Sequence, residues 1–178
     1  MILPGILASA QPGHLSVAGN LVSLQTVTVG SGGASSITFS SIPQTYTHLQ
    51  VRMSLQTTGA LWLQTDFNGD TSTNYSSHAL YANGSTVSAF GTATGSATYG
   101  YTELVSATAG SAVILDILDY TSTNKYKVGR SLWGNDRNGA GDIGLNSFAF
   151  YTNTNAVTSI TFTAPFTQYS SFALYGVK

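Results

Sequence analysis

Asp66-Phe67-Asn68-Gly69-Asp70 places oxygen donors at alternate positions of a short segment, the arrangement from which a hard cation such as calcium draws its coordination shell. Asp66, Asn68 and Asp70 are therefore the candidate metal ligands. An EF-hand loop needs glycine at its sixth position and glutamate at its twelfth, and those places hold Thr71 and Ser77. The simpler reading is an Asn-Gly turn whose flanking aspartates accept backbone hydrogen bonds. The three histidines, His14, His48 and His78, form no His-x-x-x-His pair, and the absence of cysteine removes thiolate zinc sites and disulfides. No metal and no cofactor is expected.

Nucleophilic chemistry finds many hydroxyls but no Gly-x-Ser-x-Gly elbow. Glu103 is the sole glutamate, and Asp116 and Asp119, three residues apart, point to opposite faces of a strand. They are poorly placed to form a glycosidase pair. The chain is expected not to be an enzyme. Tyr46, Trp62, Tyr75, Tyr81, Tyr99, Tyr101 and Trp133 are a better lead, since an exposed Tyr or Trp joins a large apolar area to a polar tip. Trp62, Tyr75, Tyr99, Tyr101 and Trp133 are taken as candidate contacts for a protein partner or a glycan; ordinary packing between sheets is the competing reading. Asn74-Tyr75-Ser76 and Asn83-Gly84-Ser85 fit the glycosylation pattern, which arises readily by chance in a chain so rich in Ser.

The elements that position these residues have a period of two. From Tyr46 to Gln56, Thr47, Leu49, Val51, Met53 and Leu55 alternate with polar residues, the pattern of a half-buried strand. Leu61 to Phe67 repeats it. Further strands are expected over Leu21 to Val29, Ser36 to Phe39, Tyr99 to Val105, Ser111 to Tyr120, Lys125 to Trp133, Ile143 to Tyr151, Ala156 to Thr163 and Ser171 to Val177. Lys125 to Trp133 alternates Tyr126, Val128, Arg130 and Leu132 with Lys127, Gly129, Ser131 and Trp133. Asn68-Gly69, Asn83-Gly84, Asn138-Gly139 and Asn153-Thr154-Asn155 mark turns. A short helix is expected over Asn74 to Tyr81. Ser85 to Ala97 is low in complexity and reads as a surface loop or a weak edge strand. These elements predict one all-β domain over residues 21–178, an antiparallel β-sandwich or barrel, preceded by an extended arm over residues 1–20.

Charge is scarce. The first charged residue is Arg52, and charged residues make up 7% of the 178, against roughly 25% in typical domains. With hydrophobic residues at 42% and a net charge of −1, disorder is not expected. Nucleic-acid and membrane-surface binding are not expected either, since no basic excess or amphipathic helical stretch supports them. Most charges lie between Glu103 and Asp142. They read as solvated strand ends with a few cross-strand pairs, or, more sharply, as Arg130 and Arg137 meeting Asp116 or Asp119 across a subunit boundary. The segment MILPGILASAQPG carries a cleavage-like Ala8-Ser9-Ala10 but no leading Lys or Arg, and Pro4-Gly5 interrupts its apolar stretch. It is read as an arm rather than a signal peptide. Its apolar residues Ile2, Leu3, Ile6, Leu7 and Leu15 would dock on a larger particle.

Three stretches carry a resemblance: Val29-Gly-Ser-Gly-Gly-Ala-Ser-Ser-Ile-Thr-Phe-Ser-Ser-Ile-Pro-Gln-Thr-Tyr-Thr-His-Leu, Asp66-Phe-Asn-Gly-Asp-Thr-Ser-Thr-Asn-Tyr, and Ile117-Leu-Asp-Tyr-Thr-Ser-Thr-Asn-Lys-Tyr-Lys together with the closing Gln168-Tyr-Ser-Ser-Phe-Ala-Leu-Tyr-Gly-Val-Lys. Over about residues 27–178 the chain resembles tailed-bacteriophage structural proteins of the small, jelly-roll-like β-sandwich type. The resemblance implies a virion component at the particle surface, either a tail-fibre or receptor-binding-type subunit or a capsid decoration protein. It implies partners among other virion proteins of the capsid or tail, and a host-surface glycan for a receptor-binding subunit. By analogy with viral surface jelly rolls it implies a homotrimer. The alternatives are a carbohydrate-binding module and a polysaccharide-acting hydrolase. Removal of residues 1–20 is expected to leave the sandwich folded, by circular dichroism, and to abolish loading onto particles in a pull-down with purified virions.

Overall fold

The computed structural model describes residues 20–93, 97, 99–105, 110–136, 141–151 and 153–178. The proposed arm contacts Ile2, Leu3, Ile6, Leu7 and Leu15 lie outside them, as do Arg137, the expected Asn138-Gly139 turn and part of the stretch Ser85 to Ala97. Among the described residues there are twelve strands and no helix: β1 (Leu21–Thr28), β2 (Ala34–Phe39), β3 (His48–Leu55), β4 (Leu61–Phe67), β5 (Tyr75–Ala82), β6 (Val87–Gly91), β7 (Gly100–Val105), β8 (Ser111–Leu118), β9 (Lys127–Asp136), β10 (Gly141–Phe150), β11 (Ile160–Phe166) and β12 (Ser171–Val177). The alternation in β3 has the expected sense, with Leu49, Val51, Met53 and Leu55 buried.

The strands form a β-sandwich of two antiparallel sheets. The larger has the order β1-β12-β3-β8-β9-β10-β5-β6 and the smaller β2-β11-β4-β7. β1 and β12 lie side by side at one edge, with Leu21 opposite Val177, and the Lys178 N–H donates to the Asn20 carbonyl at 3.0 Å.

The helix expected over Asn74 to Tyr81 is instead strand β5. Tyr75, Ser77 and Ala79 are buried and alternate with Ser76, His78 and Leu80. Its ladder with β10 runs without a slip from Phe150–Tyr75 to Ile143–Ala82. Apolar side chains at 75, 79, 80 and 81 suit either period, and pairing on both sides decides for the strand. Of the two readings of Ser85 to Ala97, the edge strand is the one observed: Val87–Gly91 is β6, paired with β5 through the Asn83-Gly84 turn. Asn83 Oδ1 accepts the Ser85 and Thr86 amides there.

Seven of the eight phenylalanines are buried between the sheets, which makes them the main apolar layer of the sandwich. Phe162 and Phe166 of the small sheet pack on Phe172 of the large one, and Phe67 packs on Phe148 and Phe150. The small sheet is half as wide as the large one, and its edge strand β7 crosses the inner face of β9, β10 and β5. Among the described residues no strand pairs with the outer side of β7, and polar side chains of the large sheet meet its backbone groups there. Ser77 Oγ accepts the Tyr101 amide, Asn146 Nδ2 donates to the Tyr101 carbonyl, and Ser131 Oγ donates to the Thr102 carbonyl. This explains why Ser77, Ser131 and Asn146 are buried.

Close approach of β7 also fixes two glycines. The Phe148 ring sits between Gly129 on the neighbouring strand and Gly100 on β7, and a methyl group added at either would fall 2.2–2.3 Å from a ring carbon. Gly129→Ala is therefore expected to cost about 1–3 kcal/mol by overpacking. Gly30→Ala, which meets nothing within 4 Å, is expected to leave stability unchanged. Thermal melts of the two variants check the contrast.

Candidate interaction surface

The segment singled out for metal binding is a structural turn. Asn68 and Gly69 both adopt left-handed backbone, with φ of 57° and 69°, and close the connection from β4. Asn68 Oδ1 accepts the Thr158 and Ser159 amides while its Nδ2 donates to the Ala156 carbonyl. Asp70 accepts the Ser72 amide on one oxygen and Asn74 Nδ2 on the other. The Tyr75 hydroxyl accepts the Phe67 amide and donates to the Asp70 carbonyl. The oxygens of Asn68 and Asp70 are thus engaged in tying β4 to the segments before β5 and β11. Among the described residues, no group of three or more His, Asp or Glu side chains is placed to hold a metal ion.

Exposure fails for two of the five aromatic candidates. Tyr75 and Trp133 are buried: Tyr75 stacks on Phe150 at 4.9 Å, and Trp133 Nε1 donates to Asn146 Oδ1 at 2.8 Å. Both point inward because the hydroxyl and the indole N–H find partners there. Burial and the neighbouring carboxylates push the Tyr75 hydroxyl well above its ordinary pKa. Trp62, Tyr99 and Tyr101 are partly exposed. Trp62 stacks on Phe90 at 5.2 Å and meets Tyr81, Tyr101 and Trp133. These rings cover one another at the overhang where the small sheet ends.

The charges form contacts within the chain. Arg130 pairs with Asp116 at 3.7 Å from directly opposite positions on β9 and β8, which is the cross-strand pair of the first of the two readings of these charges. Asp119 takes Lys125 at 2.6 Å and lies 3.5 Å from His48. Lys125 holds its carboxyl below the usual range, first through the hydrogen bond and then through its charge. Lys127 departs from the solvated reading. It is buried, and its Nζ donates to the carbonyls of Ser122, Lys125 and Thr154, clasping two loops. Burial lowers its pKa.

The feature that sequence reasoning missed is the outer face of the large sheet. Ile114, Leu132, Leu145 and Leu80 stand in one cross-strand row over β8, β9, β10 and β5, and Ile143 and Val87 lie in the row beside it. Their exposure runs from 40% for Ile114 to 70% for Val87. With the small residues between them these six side chains form one contiguous exposed apolar patch, of the kind that marks a protein–protein contact. Two hollows flank Ile143: one of about 420 Å³ over Ala112 and Gly134, and one of about 300 Å³ over Ala82. A polar row borders the patch. Asp116 accepts from Gln50 and pairs with Arg130, and Arg52 Nε donates to Gln50 Oε1. No protein family, curated protein or solved structure matches the chain. The signal for this face was in β9, where Val128 and Leu132 alternate with Lys127, Gly129 and Ser131. The apolar set points outward because β7 and the two loops claim the other one.

Asp66 supplies a pH test of the turn. It is buried, and desolvation raises its carboxyl from 3.8 to about 6, with Asp70 adding to the rise and the Gly69 amide opposing it. The fold favours the protonated form, so the contribution is complete below the ordinary value and is lost as pH rises through about 6. Asp66→Asn is expected to match the wild type in stability near pH 4 and to exceed it at neutral pH by about 1–2 kcal/mol, after allowance for solvent screening. Urea titrations at the two pH values check this.

Proposed function

We propose that this chain is a structural subunit of a bacteriophage particle, a tail-fibre or receptor-binding-type subunit or a capsid decoration protein, and that it acts by contact rather than by catalysis. The observation that carries this reading is the broad apolar face on the outside of a sandwich with very few charges. Such a face is costly to leave in water and is characteristic of a protein–protein contact.

The strand order supports the jelly-roll form of this reading. The set β1-β12-β3-β8 faces β2-β11-β4-β7, and the chain alternates between them as two interlocked Greek keys do. The strands β9, β10, β5 and β6 then widen one sheet beyond the eight-strand plan, and the apolar face lies mainly on this extension. Jelly rolls recur in viral coats and in lectins. The glycan-binding alternative has less support, since Trp62 gives a ring face to Phe90.

Electron microscopy of particles of the source phage with gold-labelled antibody tests the proposal. Label on the head is the result expected of a decoration protein, and label on the tail or its fibres is expected of an attachment subunit. Particles that stay unlabelled both intact and after disruption overturn it.

A further inference from the structure

We propose that the occupant of the apolar face is a second copy of this chain, packed sheet against sheet across a two-fold axis. The inference deepens the contact-surface reading above and rests on it, but it does not depend on the assignment to a phage particle.

Area is the first argument. The patch runs across five adjacent strands, β8, β9, β10, β5 and β6, set about 5 Å apart, a width that suits the roughly 800 Å² that each partner contributes to a standard stable interface. Shape is the second. The face carries both knobs and hollows: Leu132, Ile143 and Leu145 stand up, and the flanking hollows lie over Ala112, Gly134 and Ala82. A surface holding both halves of the fit at side-chain spacing can interdigitate with its own image, as the inner faces of sandwiches do at about 10 Å separation. Charge is the third. Asp116 and Arg130 border the patch along one row, and Arg52 stands at its β3 end, in register with Ile114 and beside the hollow over Ala112; all three are already linked within the chain, Arg52 through Gln50. With a net charge of −1, two copies approach without appreciable repulsion.

A face that meets its own image closes at two copies. The expected assembly is therefore a dimer, in place of the trimer that the resemblance implied. The outer face of the small sheet would remain free in that dimer for other proteins.

The test is the mass of the full-length chain in solution, by light scattering and sedimentation equilibrium. The wild type is expected at twice the 18.6 kDa of one chain. Leu145→Lys and Leu132→Lys place an ammonium in the buried contact, and each is expected to weaken association by at least ~100-fold. Both positions are half exposed in the single chain, so unchanged circular dichroism and melting are expected for the monomeric variants. The absence of native cysteine permits a second reading: Leu132→Cys is expected to give a disulfide-linked dimer on mild oxidation, and Ser36→Cys, on the small sheet, is not. A wild type that stays monomeric up to its solubility limit overturns the proposal, as does a trimer or an oligomer indifferent to the lysine variants. A dimer that fails to label phage particles would refute the particle assignment and leave this inference standing.

Discussion

An edge strand laid across the inside of another sheet needs partners for its free backbone groups, and β7 imposes that need on the whole sandwich. Water does not serve such groups in an apolar interior, and an unpaired one costs on the order of 1–3 kcal/mol. Ser77, Ser131 and Asn146 answer from three adjacent strands of the large sheet. Trp133 is then held by Asn146, and Thr65 and Thr102 share a hydroxyl contact beside it. The same close approach leaves no space for side chains at Gly100 and Gly129, and Phe148 fills the gap. The unequal widths of the sheets are tolerable because β7 is satisfied and the aromatic cluster around Trp62 closes what β7 does not cover.

That solution has a consequence on the other side of the sheet. A strand alternates strictly, so turning Lys127, Gly129, Ser131 and Trp133 inward turns Val128, Arg130 and Leu132 outward. The neighbouring strands add Ile114, Leu145 and Leu80 in register. The outer apolar face is thus coupled to the inner polar contacts rather than being an independent surface feature.

The fold was legible where alternation and burial agree. The pattern of β3 alone located a strand and its inward side, and the Asn68-Gly69 turn has the left-handed backbone its residues require. It was least legible in β5, whose apolar residues fit two periods, and in β9, whose hydrophobic set faces outward. Tyr75 and Trp133 looked like surface aromatics because their polar ends suit an interface. Inside the protein the same ends are satisfied by Phe67, Asp70 and Asn146, which a local pattern does not bring together. Lys127 was unreadable for the same reason, since its three carbonyl partners come from the β8–β9 connection and from the segment after β10.

The pairing of β1 with β12 bears on how the domain carries tension. Residues 20 and 178 leave from the same end of one antiparallel ladder. A pull applied between them meets the seven registered pairs one after another, as a zipper opens, rather than all together in shear. Resistance along that line is set by a single pair at a time. In an elongated assembly under load, strain would have to pass through other faces of the sandwich, with this edge serving as an attachment point and not as a link in series.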